Sequence, residues 1–197
     1  DGIVSNQDIH GTIGQPDLVI ITNPLFLSQA TSLAAFRETN DNLDVSVYTT
    51  TQVYNEFSSG TQDITAIKDL MRMLYNRAVD STEMPRYLLL FGDGSYDNLN
   101  RISDNTNFVP TYQSLNSHAP QSSYVSDDYF GLLDDTEGEG TSDQLDIGIG
   151  RIPVKSSEEA TQIINKIFYY ESSSSMGSWR NNICFIADDE DNNIHIS

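Results

Sequence analysis

Apolar residues in this chain fall into short runs, separated by longer stretches patterned for helices. Asp17-Leu18-Val19-Ile20-Ile21-Thr22 and Tyr87-Leu88-Leu89-Leu90-Phe91 are continuous apolar runs. That is the pattern of a parallel strand covered on both faces. Ile147-Gly148-Ile149-Gly150-Arg151-Ile152 is read as a further core strand, and Ile183-Cys184-Phe185-Ile186-Ala187 as a fifth. Leu43-Asp44-Val45-Ser46-Val47-Tyr48 alternates with period two and is read as a strand as well. Between the runs the period lengthens. Leu25, Leu33 and Phe36 recur at helical spacing up to Asn40, after a turn at Asn23-Pro24 that a first helical turn tolerates. A short helix is expected over residues 51–57. Ile64, Ile67, Leu70, Met71, Leu74 and Tyr75 share one face of a longer helix, capped by Asp63 and ending near Asp80. A last helix opens at Ser156 or Ser157, with Glu158 and Glu159 in its first turn, where the dipole favours anions. Ile163, Ile164, Ile167 and Phe168 form its expected buried face.

Strands that alternate with helices predict an α/β domain with a mostly parallel sheet flanked by helices. Residues 1–16 are polar and are expected to be a lead-in segment, with residues 172–175 a linker. Residues 93–144 are loop-rich, with 108–112 and 129–133 expected as a short edge pair of strands.

Charge narrows the class of partner. The chain carries 29 acidic against 10 basic residues, a formal charge of −19. Such a surface repels nucleic acid and anionic membranes, which excludes nucleic-acid binding as the main task. No stretch approaches the roughly 20 apolar residues that span a bilayer. The start lacks the basic and apolar segments of a signal peptide. The single cysteine, Cys184, rules out an internal disulfide. Placed mid-strand among apolar neighbours, it is expected to be buried and inert.

In open parallel sheets the chemistry lies beyond the carboxyl ends of the strands. Asp93, in Phe91-Gly92-Asp93-Gly94, and Arg151, in Gly150-Arg151-Ile152-Pro153, stand at such ends. Asp93 suits substrate contact or metal ligation. Arg151 is expected to form a structural ion pair with a nearby acid such as Asp93 or Asp128. His10, His118 and His195 offer no zinc pair at standard spacing and are expected to be ordinary surface residues. Two acidic clusters have the carboxylates that calcium takes. One is Asp134-Asp135-Thr136-Glu137; the other runs from Asp188 to Asn193 and contains Asp188, Asp189 and Asp191. Neither has the spacing of an EF-hand loop.

Taken together, residues 87–94, Ser126-Asp127-Asp128-Tyr129-Phe130-Gly131 with the two leucines after it, and residues 147–153 resemble the gingipain-like cysteine peptidases, peptidase family C25. Cys184-Phe185-Ile186-Ala187-Asp188-Asp189-Glu190-Asp191, followed by His195, is similar to a sortase-like branch that serves the type IX secretion system. The resemblance implies a caspase-like α/β fold in two subdomains. It also implies a surface-exposed, outer-membrane-associated enzyme whose thiolate attacks a carbonyl with a His as acid/base. Its protein substrate would be secreted cargo bearing a C-terminal targeting domain, and other secretion-system components would be partners. No cofactor is required, and calcium is optional. By the match, Asp127 and its neighbour Asp128 stand in a segment that contributes to the substrate pocket. The family's His-Gly turn and catalytic Cys lie downstream of the segment matching Cys184 to His195. Residues 17–197 are therefore expected to be an N-terminal subdomain, cut before the catalytic half and inactive alone, with no catalytic residue of its own. A non-catalytic binding module remains an alternative. A flavodoxin-like anion binder is disfavoured by the lack of a glycine-rich loop after the first strand.

Overall fold

A computed structural model describes residues 7–115, 118–119, 121–138 and 143–185. Its centre is a four-stranded parallel sheet of strands β1 (Leu18–Thr22), β2 (Val45–Thr49), β3 (Tyr87–Phe91) and β6 (Gly148–Ile152), in the order β2-β1-β3-β6. The strands run in step: Thr22 is level with Thr49 and with Phe91, and Phe91 with Ile152. All four carboxyl ends therefore reach one edge together. The chain is the α/β domain that its sequence predicts.

Burial follows the apolar runs. Every residue of β1 is buried, as a central strand with both faces covered requires. β6 departs from expectation: as an outer strand it has no buried residue. Its glycines explain why an Ile-Gly-Ile-Gly run can read as core yet cover little. Helices α2 (Leu27–Asp41), α3 (Thr50–Phe57), α4 (Ile64–Arg77) and α5 (Ser157–Glu171) connect or follow the strands. Thr49 and Gln52 form a reciprocal capping box on α3, and the Asp63 side chain accepts the Thr65 N–H at the start of α4. Ile67, Leu70, Met71 and Leu74 of α4 are fully buried with Val19, Ile21, Leu88 and Leu90 of the sheet. Each such side chain contributes about 1.5–3 kcal/mol on burial.

Several expectations need correction. Helix α4 stops at Arg77 rather than near Asp80, because Ala78 turns extended and the Asp80 carboxylate instead takes the Thr82 N–H in a turn. Residues 7–12 are not a free lead-in. They include the short helix α1 (Ile9–Thr12), and Ile9 is buried in the core. The Glu56 carboxylate holds this segment, accepting the N–H groups of Ile9 (2.7 Å) and His10 (3.1 Å) and contacting His10 Nδ1 (2.8 Å). His10 is exposed, as a surface residue is, and its ring also stacks on Phe57.

The expected edge pair is displaced. Strands β4 (Tyr112–Gln113) and β5 (Val125–Ser126) form the antiparallel pair, and Asp128–Gly131 is a 3-10 turn. The Asp127 carbonyl closes that turn by accepting the Phe130 N–H. In α5 it is Ala160 and Ile164 that are buried, whereas Ile163 is half-buried.

Contacts divide the chain into two compact units, residues 1–164 and 165–197. Within the second, Ile167 and Phe168 are half-buried, and Arg180 lies over the rings of Tyr170 and Trp179. Ile183, Cys184 and Phe185 are exposed and not in a strand, which corrects both the fifth strand and the buried thiol. An apolar run becomes a buried strand only where a ladder receives it, and among the described residues none does. Asp188, Asp189, Asp191 and His195 lie outside the described residues.

Candidate functional site

The aligned strand ends place the loop after β3, the end of β6 and the segment around Asp127 side by side. Arg151 joins all three. Its Nε and Nη2 donate to the two oxygens of Asp127, each at 2.7 Å. Nη1 donates to the carbonyls of Gly92 (2.9 Å) and Val109 (2.8 Å), and Nη2 also donates to the carbonyl of Pro110 (3.1 Å). The five donors of a guanidinium sit in a fixed plane, so one residue can fix three backbone carbonyls and a carboxylate at once. The partner is Asp127, not Asp93 or Asp128. Side chains of Arg151 and Asp127 are 13% and 25% exposed, so the pair is shielded for most of its surface.

Glycine is needed beside the clamp. Gly92 adopts φ of 150°, and a Cβ there would lie 2.9 Å from Val109 Cγ2. Asp93 sits next to it and is held separately. Its carboxylate accepts the Thr106 hydroxyl and lies 3.6 Å from Lys155 Nζ. Its carbonyl accepts the N–H groups of Phe108 and Val109. Asp93 and Asp127 thus share a neighbourhood, through Gly92 and Val109, without touching.

Asp128 points elsewhere. It lines a cleft of 260 Å³ with Tyr112, Tyr124, Ser126, Tyr129 and Leu132 among others. The carboxylate of Asp128 has no hydrogen bond or ion pair among the described residues. Tyr112 and Tyr129 stack with ring centroids 4.8 Å apart. Lys68, buried in α4, places Nζ 4.6 Å from the Tyr129 centroid and donates to the Glu137 carbonyl at 3.2 Å. Burial, with help from Arg72, pushes the Lys68 ammonium below lysine's usual range, although Glu137, Asp143 and Asp69 oppose this. Burial likewise raises the Tyr129 phenol, with Asp69 and Asp63 adding to it, which keeps the hydroxyl protonated.

Carboxylate oxygens of Asp134, Glu137 and Asp146 lie within 4.8 Å of one another. Among the described residues this is the one group of three or more such ligands. Asp134 and Glu137 belong to the first acidic cluster singled out in the sequence; Asp146 was missed. No local pattern marked it: its carboxylate accepts the N–H of Leu133, a residue distant in sequence, at 2.8 Å. Tyr112, Tyr124 and Lys68 were also missed, since only the fold assembles them. Cys184 has no hydrogen bond among the described residues, and His118 is exposed.

These strand ends belong to a parallel α/β domain. The sequence pattern of peptidase family C25 matches residues 12–197, and the chain belongs to that family. Among solved structures it is similar to dimeric latent PorU from Porphyromonas gingivalis, at 38% identity and a TM-score of 0.77. That match covers 93% of this chain and 18% of PorU, so the chain spans less than a fifth of that relative. A second structure, described as a protease, shares the fold at 18% identity and a TM-score of 0.56, covering 85% of this chain and 32% of the other. No curated protein matches.

Proposed function

We propose that residues 17–197 are the N-terminal subdomain of a sortase-like C25 cysteine peptidase. Its parent enzyme would remove C-terminal sorting domains from type IX secretion cargo and anchor that cargo at the cell surface. The observation that carries this reading is the 38% identity to PorU across 93% of the chain. The geometry is compatible with it: acids and carbonyls at the strand ends are held together by Arg151. In this reading the attacking thiolate and its His come from outside the described residues. Asp93, Asp127 and Asp128 shape the substrate groove; Asp127 does so as the partner that fixes Arg151. Cargo, other secretion-system components and an outer-membrane-associated location follow from the same reading. No helix among the described residues is long and apolar enough to cross a membrane. Calcium is not required; Asp188, Asp189 and Asp191, and the group around Asp146, are where it would bind.

The test uses a thiol-directed electrophilic peptide probe on the intact parent polypeptide and on this chain. The labelled residue is mapped by mass spectrometry. Label on a cysteine outside this chain, with Cys184 untouched, is the expected result. Label on Cys184 overturns the reading. No label on either supports a non-catalytic C25-like module instead.

A further inference from the structure

Charge is absent from one cleft of this acidic chain. Four of the ten residues 98–107, in the loop after β3, are asparagine. Asn98, Asn100, Asn105 and Asn107 line a cleft of 240 Å³ with Phe108 and with Gln62, which precedes α4. None of these side chains is ionisable, although charged residues make up 20% of the chain. Much of their hydrogen-bonding capacity is unused by the protein. The Asn98 and Asn100 side chains make no hydrogen bond among the described residues. Gln62 Nε2 donates to the Asn98 carbonyl at 3.0 Å, and Asn107 Oδ1 accepts the Ser95 N–H at 3.1 Å. Gln62 Oε1 and Asn107 Nδ2 have no such partner among the described residues. Asn105 is oriented by its bond from Nδ2 to the Asp97 carbonyl (2.8 Å), and its Oδ1 is buried without a partner. The Phe108 ring is held edge-to-face on Phe26, with centroids 5.0 Å apart.

Buried polar groups are almost always paired, so an orphaned acceptor beside spare amides needs an explanation. The lining selects against charge. A cation would find no carboxylate there, and an anion would find no basic side chain in a chain of charge −19. What the lining offers is a mixture of neutral donors and acceptors. An amide supplies both, and a hydroxyl both donates and accepts, so one hydroxyl can pair with two amides at once. Ligands rich in hydroxyls match this lining best. Phe108 adds an apolar surface for the C–H face of a saturated ring. At about 30 Å³ per water, 240 Å³ is the room of about eight waters, which suits a single sugar ring.

We propose that the cleft between Gln62 and Phe108 binds one neutral sugar ring, as a free sugar or as the end unit of a glycan, with its hydroxyls paired to the amides of Asn98, Asn100 and Asn107. The ring is bound there and not chemically changed. The inference draws nothing from membership of a peptidase family or from the sortase-like reading, which the thiol probe tests separately.

The probes are the methyl glycosides of glucose, galactose, mannose and N-acetylglucosamine. Each is titrated to tens of millimolar into the isotope-labelled chain and followed by side-chain amide chemical shifts. At least one glycoside is expected to shift the amides of Asn98, Asn100 and Asn107 in a saturable manner. Asn98→Ala and, separately, Asn100→Asp should each weaken that glycoside about fivefold or more, the loss of one hydrogen bond. Asn100 has φ of 53°, a conformation that Asp also tolerates, and Asn98 is exposed. An unchanged thermal melt confirms that each variant folds. A trisaccharide ending in the bound sugar separates the two sources: it binds as tightly as the glycoside if the cleft takes a glycan end, and fails to bind if the cleft takes only a free sugar. The proposal is overturned if no glycoside shifts these amides, if the shifts fall elsewhere, or if both folded variants bind like the parent.

Discussion

Replacing Arg151 by Met should cost more stability than any exposed charge in the chain. The substitution keeps most of the aliphatic stem and removes the guanidinium. It strands the Asp127 carboxylate and takes the donor from three carbonyls, those of Gly92, Val109 and Pro110. Breaking a fully buried pair by removing one partner costs about 3–5 kcal/mol. Here the side chains retain 13% and 25% exposure, so water reaches part of Asp127 and the lower end applies, about 3 kcal/mol. At about 2–4 °C per kcal/mol for a chain of this size, the melting temperature should fall by about 6–12 °C. Lys at the same position restores the charge but not the planar fork, and should recover less than half of the loss. Urea titration gives the free energies, and a double-mutant cycle with Asp127→Asn isolates the pair. A coupling of about 1 kcal/mol or more is expected for residues in one hydrogen-bonded network. A loss below about 1 kcal/mol for Arg151→Met, or strict additivity with Asp127→Asn, would refute the clamp, since surface ion pairs alone reach that figure.

Three further outcomes follow from the same structure. Burial tends to raise the Glu56 carboxyl, but bonds from Ile9, His10 and Gln7 outweigh it and hold it below the usual value of 4.5. A depressed acid contributes stability above its unfolded value and loses it as pH falls through the folded one. Protection from hydrogen exchange at residues 7–12, relative to the intrinsic rate at each pH, should therefore fall on acidification below pH 4.5, and Glu56→Gln should lower it already at neutral pH. Lys68→Met should leave the neutral-pH melt unchanged or raise it, since a buried charge gives way to a side chain of similar length. In the parent, stability should rise as Lys68 deprotonates on the approach to its ordinary value of 10.5, and the variant should lack that rise. Gly92→Ala meets both a left-handed φ and the Val109 side chain, and should cost about 2 kcal/mol or more by urea titration.

The sheet was legible because its signals are local. β1 and β3 are continuous apolar runs of strand length, and Asp63 marks where α4 begins. The Ile183-Cys184-Phe185 run carries the same local signal, yet no strand among the described residues pairs with it. Strand propensity is a preference for a pleated, half-buried surface, and the surface is supplied from elsewhere in the fold. The edge pair failed for a related reason. Tyr129-Phe130-Gly131 has strand-forming residues, yet the Asp127 carbonyl accepts the Phe130 N–H and the Ser126 hydroxyl accepts the Asp128 N–H, and a side-chain-to-backbone bond such as the second competes with a ladder.

At the site the same distinction separates position from partnership. Asp93 and Arg151 could be placed at strand ends because strand ends are marked by the runs before them. Which acid Arg151 would choose could not be read, because the choice depends on register. β6 is level with β3 such that Arg151 stands beside Leu90, one residue short of the strand end. From there the guanidinium reaches back under the Gly92 carbonyl and across to the loop at Val109 and Pro110. Asp127 is the acid that the turn before Phe130 delivers to that spot. Asp128, next in sequence, is carried over the turn and faces the tyrosine cleft instead. Two adjacent carboxylates thus take different roles because one 3-10 turn divides them, one fixing the wall and the other presented to whatever the cleft receives.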